Sequence, residues 1–424
     1  MLGIKGITQN TLWMLLERFV AMLAALLSGI LIARFLGPEQ YGSLNYVLSF
    51  VSLFAALSML GLEVITIHDL VQQPQQYRTI LGTTFILKLT GAVIAILLIL
   101  LASFAIQTGS ELRILILIFA ISYLFQSFLV IDFFFQSRTA SRYAVYAKLL
   151  ATVTGFVLKI YGILAHAKIE FFVAVFTFEA TILCIALISV YQSQFRDIFS
   201  WHFDYDRAKS IMRQAAPLML SSILVSVYMR IDQLMLREFM DLKAVGIYSA
   251  AVKLSEAFYV FPAVITAAIF PAILQFRAND YELYMRKTRH LFVLLSRLSL
   301  IICIALSIGS YWIIPLLYGH EYDAAAVVLS IHIWSCVFVF LNISSSRWFT
   351  AESLNKFILS RAAVAAITNI ILNLFMIPLY GIVGAAIANV ISWAISGYLL
   401  DAIYPPARKL FFMKSRSLML RNTP

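Results

Sequence analysis

The chain is a succession of long apolar runs, and that succession constrains it more than any motif does. Twelve runs, at 12–34, 41–62, 80–106, 113–135, 145–166, 170–191, 211–236, 246–274, 290–318, 323–349, 357–378 and 382–404, have the length and character of membrane-crossing helices. Each crossing takes about 20 mostly apolar residues. Composition agrees: 62% of the 424 residues are hydrophobic, 12% are charged, and mean hydropathy is +0.90. A soluble chain is about 45–50% apolar and about 25% charged. Twelve crossings use about 240 residues, most of the apolar supply. The expected fold is therefore an all-α polytopic membrane protein. A soluble enzyme, a disordered scaffold and a one-span receptor are excluded.

Charge sets the orientation. If both termini are cytoplasmic, 20 of the 32 Lys and Arg fall in the inside segments and 5 in the outside loops. That asymmetry is the positive-inside signature, and it requires an even number of crossings. The expected location is the cytoplasmic (inner) membrane. The net charge of +11 then reports basic loops and not a nucleic-acid partner. The first run continues past Ala33 with no small-residue cleavage site and is expected to remain as the first crossing. Cys184, Cys303 and Cys336 sit in apolar runs with no CxxC or Cys/His cluster, so packed thiols are expected, with no metal and no cofactor. The longest polar stretch runs from about Gln192 to Lys209. It leaves no room for an extramembrane catalytic domain or a phosphate-cradling loop. The chain is expected to work inside the bilayer and not to be an enzyme.

That stretch also divides the chain. The expected organisation is an N-lobe at 1–191, a cytoplasmic linker at 192–210, a C-lobe at 211–404 and a cytoplasmic basic tail at 405–424. The halves echo each other weakly. Gly42 follows the first run and Gly246 follows the seventh, at an offset of 204. Internal repeats of this kind occur in transporters, where two bundles rock about a central site.

Ionisable groups inside the runs point to function. A charge near the bilayer centre costs about 2.5–3.5 kcal/mol on insertion scales, so it is expected to face a cavity or a partner. Helical spacing puts Lys148, Thr152, Gly155 and Lys159 on one face of the fifth run, and Thr84 and Lys88 on one face of the third. Ser222, Ser226 and Arg230 share a face of the seventh, and Ser249, Lys253 and Glu256 a face of the eighth. Arg18, Lys88, Lys159, Arg230, Lys253 and Arg297 are the candidate substrate-binding residues. A cationic lining suits an anion, phosphate above all. Asp232 points to a different face from Arg230. With Asn369 and Asn373 it offers oxygen ligands for a small cation, H+ or Na+; a structural salt bridge fits it equally. Arg347 and Asp401 lie near run ends, where they are expected to reach the interface. The Asn389, Ser392 and Ser396 stripe reads as helix–helix glue.

Four segments resemble the Wzx-type polysaccharide flippases, within the wider multidrug/oligosaccharidyl-lipid/polysaccharide exporter superfamily. They are Ala33-Arg34-Phe35-Leu36-Gly37-Pro38-Glu39-Gln40-Tyr41-Gly42; Ile231-Asp232-Gln233-Leu234-Met235-Leu236 with Val245-Gly246-Ile247-Tyr248-Ser249-Ala250-Ala251; Pro315-Leu316-Leu317-Tyr318-Gly319; and Asn369-Ile370-Ile371-Leu372-Asn373 through Ile377-Pro378-Leu379-Tyr380-Gly381. The resemblance implies two six-helix lobes around a central cavity that opens alternately to each side. It also implies transfer of an undecaprenyl-diphosphate-linked oligosaccharide, an O-antigen or similar repeat unit, to the outer leaflet. The partners it implies are the lipid-linked oligosaccharide, membrane lipid, a coupling cation and other polysaccharide-assembly membrane proteins. No family motif assigns the six cationic residues; they come from the spacing alone. Two alternatives stand beside this: a membrane polymerase or ligase acting on lipid-linked sugars, and a drug/cation antiporter of the same superfamily. Short outer loops weigh against the first, and the cationic lining against the second.

Overall fold

The structure is a computed structural model that describes residues 4–106 and 109–419. Arg421 of the basic tail lies outside the described residues. All regular elements among the described residues are helices, which bond their own backbone polar groups and so tolerate hydrocarbon. Eleven stretches are long and apolar enough to cross a membrane. Two glycines divide the first and the last of them. Gly37, with φ 71° and ψ 172°, breaks Leu12–Ser52, and Gly381, with φ 58° and ψ −135°, breaks Lys356–Ile403. A side chain is strained in either conformation. The piece after Gly37 continues with Ala55–Gln72 as the second crossing, which gives the expected twelve.

The chain packs as two compact units. One holds the residues up to Leu36 together with Ser43–Arg230; the other holds Gly37–Gly42 and everything from Ile231 on. The first contains most of α1 (Ile4–Ser52), then α2 (Ala55–Met59), α3 (Leu62–Gln72), α4 (Tyr77–Ala105), α5 (Ser110–Ala120), α6 (Ser122–Gln126), α7 (Val130–Ser137), α8 (Arg142–Leu164), α9 (Ile169–Gln194) and the greater part of α10 (Tyr205–Phe239). Its core gathers Phe133, Phe134, Phe135, Leu187 and Tyr191.

The polar linker between α9 and α10 is seated on this unit. Asp197 accepts hydrogen bonds from Tyr191 Oη (2.7 Å), Arg78 Nε (2.8 Å) and Tyr77 Oη. Burial pushes the Asp197 carboxyl up, but the hydrogen bonds from Tyr77, Tyr191 and Arg78 outweigh it and hold the group below the usual carboxylate range. The Asp204 amide donates to Thr83 Oγ1 (3.0 Å). At Gly82 a Cβ would come within 2.5 Å of the His202 carbonyl oxygen, so only glycine lets the linker lie this close to α4. The boundary between the packed units accordingly falls inside α10, after Arg230, and not in the linker.

The second unit contains the rest of α10, then α11 (Leu242–Glu256), α12 (Val260–Leu274), α13 (Tyr281–Tyr318), α14 (Ala324–His332), α15 (Ser335–Ala351), α16 (Asn355–Ala394), α17 (Leu400–Ile403) and α18 (Arg408–Leu418). Gly42 and Gly246, paired by the sequence repeat, meet here. A Cβ on Gly42 would lie 1.7 Å from the Leu242 carbonyl oxygen, and one on Gly246 would lie 1.9 Å from that of Pro38. The backbones of the 37–42 segment and α11 are therefore in direct contact.

One expectation is corrected at the end of the chain. Asp401 does not reach the interface. It is fully buried, 2.6 Å from Lys414 Nζ. The basic tail docks there: α18 buries Leu410, Lys414 and Ser417. It meets a single turn of π-helix at Ile395–Leu399, a distortion that alters the regular backbone bonding. The Gly397 carbonyl accepts from Lys414 Nζ (2.8 Å) and the Ser396 carbonyl from Arg361 Nε (2.5 Å). The three cysteines are buried and free, as expected of packed thiols.

Candidate functional site

The second unit holds a buried polar cluster centred on Asp232. This residue lies on α10 just beyond the packing boundary and is almost wholly enclosed. Tyr248 Oη of α11 donates to its Oδ2 at 2.7 Å, Asn373 Nδ2 to its Oδ1 at 2.6 Å, and Asn389 Nδ2 to its Oδ2 at 3.1 Å. Asn373 Nδ2 also reaches Asn369 Oδ1 at 3.1 Å, one helical turn away on α16. These donors to Asp232 are all neutral. The Oδ1 atoms of Asn373 and Asn389 and the Nδ2 atom of Asn369 are buried without a hydrogen-bond partner. Buried polar atoms ordinarily find partners, so the cluster has acceptor oxygens to spare around a carboxylate. A carboxylate with neutral amide oxygens is the donor set of a hard cation, and a proton on Asp232 would equally balance its charge. The cluster has too few His, Cys, Asp or Glu for a tight polydentate metal centre; no group of three occurs among the described residues.

The structure brings Asp232, Asn369 and Asn373 together; sequence spacing put only Asn369 and Asn373 on one face. It adds Tyr248 and Asn389, which the sequence reading did not place there. Asn389 was visible as a polar member of a helical stripe, but nothing local shows that its amide turns toward α10. The kink at Gly381 lets α16 present Asn369 and Asn373 before the break and Asn389 after it.

The first unit holds a second polar site, a pocket of about 410 Å³ whose lining includes Glu17, Gln126, Lys148, Thr152, Lys159 and Glu179. The expected stripe on α8 forms one wall. Lys159 Nζ pairs with Glu179 Oε1 at 2.7 Å and rests over the Phe176 ring at 4.2 Å. Lys148 Nζ pairs with Asp132 Oδ2 at 2.7 Å, and Gln136 Nε2 donates to the same oxygen at 3.1 Å. Gly155, one turn before Lys159, makes room for the carboxylate; a Cβ there would come 1.7 Å from Glu179 Oε1. Glu17 and Glu179 were visible as intramembrane acids, but the pairing of Glu179 across the α8–α9 hairpin is a tertiary fact.

The other cationic candidates fall elsewhere. Lys88 is fully buried, its Nζ 3.2 Å from Met59 Sδ and 5.5 Å from the centre of the Phe133 ring. Lys253 lies over the Tyr41 ring at 4.9 Å in the second unit. Arg18 and Arg297 are exposed, and Arg230 is half-buried at the end of the first unit. Within each unit, then, the candidates do not gather into one site: Lys159 has its own pocket, and Lys88 its own enclosed position.

The fold, many helices in two packed units, is one that solved flippase and transporter structures share. The chain has a TM-score of 0.74 with the lipid II flippase MurJ in an inward closed conformation, at 15% identity over 97% of this chain and 91% of that one. With an inward-facing multidrug resistance MATE family transporter the TM-score is 0.75, at 14% identity over 95% and 96%. The chain belongs to the polysaccharide biosynthesis protein family, whose model matches residues 7–277. The MatE model matches residues 217–375. A curated relative, the probable flippase AglR of Haloferax volcanii, is 29% identical over 188 residues. That match covers 42% of this chain and 38% of the relative, so the chain spans about two fifths of that relative's length.

Proposed function

We propose that the chain is a flippase that carries a lipid-linked glycan across the membrane. Its cargo is an undecaprenyl-diphosphate-linked oligosaccharide, moved from the cytoplasmic to the outer leaflet, with both termini on the cytoplasmic side. The observation that carries this reading is the family match across residues 7–277, beside a relative named as a probable flippase. Physical need supports it. Each glycan hydroxyl costs several kcal/mol to strip of water, and the diphosphate costs more. Buried cations and amides lower that barrier, while the apolar tail stays in lipid. The transport cycle is alternating access. Asp232, with Asn369 and Asn373, binds the coupling cation, H+ or Na+. The chain performs no covalent step of its own.

The test is a leaflet assay. Purified protein in vesicles carrying a fluorescent diphosphate-linked oligosaccharide is expected to expose that lipid on the opposite face, and empty vesicles are not. No transfer above the empty vesicles would sink the reading. Appearance of longer glycans would instead mark a polymerase. The MatE match over residues 217–375 favours a second reading, a drug/cation antiporter, for which the same vesicles would extrude a cationic dye and leave the lipid in place.

A further inference from the structure

The linker on the first unit roofs a cavity that neither ion site uses. Its volume is about 490 Å³. The walls include Phe85, Phe128, Ile188, Phe199, Trp201 and Phe203, with Gln192 as the polar side chain of the lining. Phe85 and Phe128 lie with ring centres 4.7 Å apart, and Trp201 meets Phe85 edge-on at 5.9 Å. The roof is held in place: Trp201 Nε1 donates to Tyr191 Oη at 3.2 Å, and Asp197 and Asp204 anchor the segment at either end.

Two features point to an occupant. The first is continuity with the lipid-facing surface. Ile86, which also lines the cavity, is exposed, and so are Val93 and Leu97 further along α4 and Ile185 on α9. On membrane-crossing helices such residues face hydrocarbon. The second is the roof. Phe199 is 96% exposed, Tyr205 72% and Phe203 50%, the placing of aromatic residues at a membrane–water boundary. The occupant these features fit is the apolar chain of the cargo proposed above, whose methyl-branched units bury against the rings as apolar surface does.

We propose that this cavity is a binding site for a segment of the polyisoprenoid chain of the cargo. It grips one stretch of the tail, and the remainder lies in the bilayer. The proposal rests on the lipid-linked reading above, and it places recognition of the tail in the first unit, apart from the Asp232 cluster.

Trp201 reports occupancy. Full-length protein in detergent is titrated with a brominated polyprenyl phosphate, and separately with a phospholipid brominated on its acyl chains. Saturable quenching by the polyprenyl phosphate is expected, and Trp201→Phe removes it. Filling the cavity with Ile188→Phe raises the half-saturating concentration about tenfold, or about 1.4 kcal/mol. Equal quenching by the phospholipid overturns the proposal and marks a site for bulk lipid. Quenching that survives Trp201→Phe, or is indifferent to Ile188→Phe, also overturns it. The leaflet assay separates this from the parent reading. Wild-type protein that quenches but moves no lipid-linked glycan defeats the flippase and leaves the site standing. A flippase without Trp201-dependent quenching does the reverse.

Discussion

At the residue scale, the molecule handles buried charge in two ways. Some buried carboxylates have a cation: Asp132 has Lys148 and Glu179 has Lys159 in the first unit, and Asp401 has Lys414 in the second. Asp232 instead has a phenol and amides. Pairing neutralises a charge for good, whereas neutral donors leave it available to a proton or a metal ion. Asp232→Asn preserves shape and removes the charge, and it turns one accepting oxygen into a donor, which the neighbouring amides meet by flipping. It is expected to leave the protein folded and to cut transport driven by an imposed Na+ or proton gradient by about 5–150-fold, the range of a typical coupling energy. Unchanged gradient dependence in that variant, measured in vesicles, would remove Asp232 from coupling. The members of the cluster were legible as separate polar positions in apolar helices. Their convergence was not, because Asn369 and Asn389 lie on either side of the Gly381 kink and helical spacing carries no information across it.

At the scale of elements, glycines and a short loop decide how closely helices pass. The Gly42–Gly246 contact leaves no space for a methyl group. Gly246→Ala must push α11 away from the 37–42 segment, and overpacking of this kind costs about 1–3 kcal/mol. A lowered thermal midpoint of the detergent-purified protein is the expected reading, and an unchanged midpoint would show that the contact is slack. The linker has a pH signature of its own. The folded pKa of Asp197 lies below its ordinary 3.8, so its bonds contribute full stability above that value. The contribution is lost as pH falls through the folded pKa. Cleavage of residues 195–204 by an acid-stable protease is therefore expected to begin only below about pH 3.8, and Asp197→Asn is expected to admit cleavage at neutral pH. The seating of the linker was not visible in sequence, where it read only as polar and short. Its anchors, Tyr77, Arg78 and Thr83, lie more than a hundred residues earlier.

At the scale of the whole molecule, the apolar runs predicted twelve crossings, and the helices agree once Gly381 divides the last stretch and the piece after Gly37 is joined to Ala55–Gln72. The charge asymmetry makes a further prediction. Reporters fused to either terminus, or single cysteines placed in the 195–204 segment, are expected to be accessible from the cytoplasmic side only. Labelling of one terminus from outside would overturn the assignment and require an odd number of crossings.

What the sequence determined by itself is the class of molecule: helical and many times across a membrane. Hydrophobic length acts locally, so a linear reading captures it. Burial of Asp401 against Lys414, docking of α18, the Glu179–Lys159 pair and the ring of donors around Asp232 were decided only by the tertiary structure. Each depends on side chains from different helices reaching the same point, and the rotation and kinking of one helix against another follow from packing over its whole length. Periodicity shows which face of a helix is polar; only the assembled bundle fixes what that face meets.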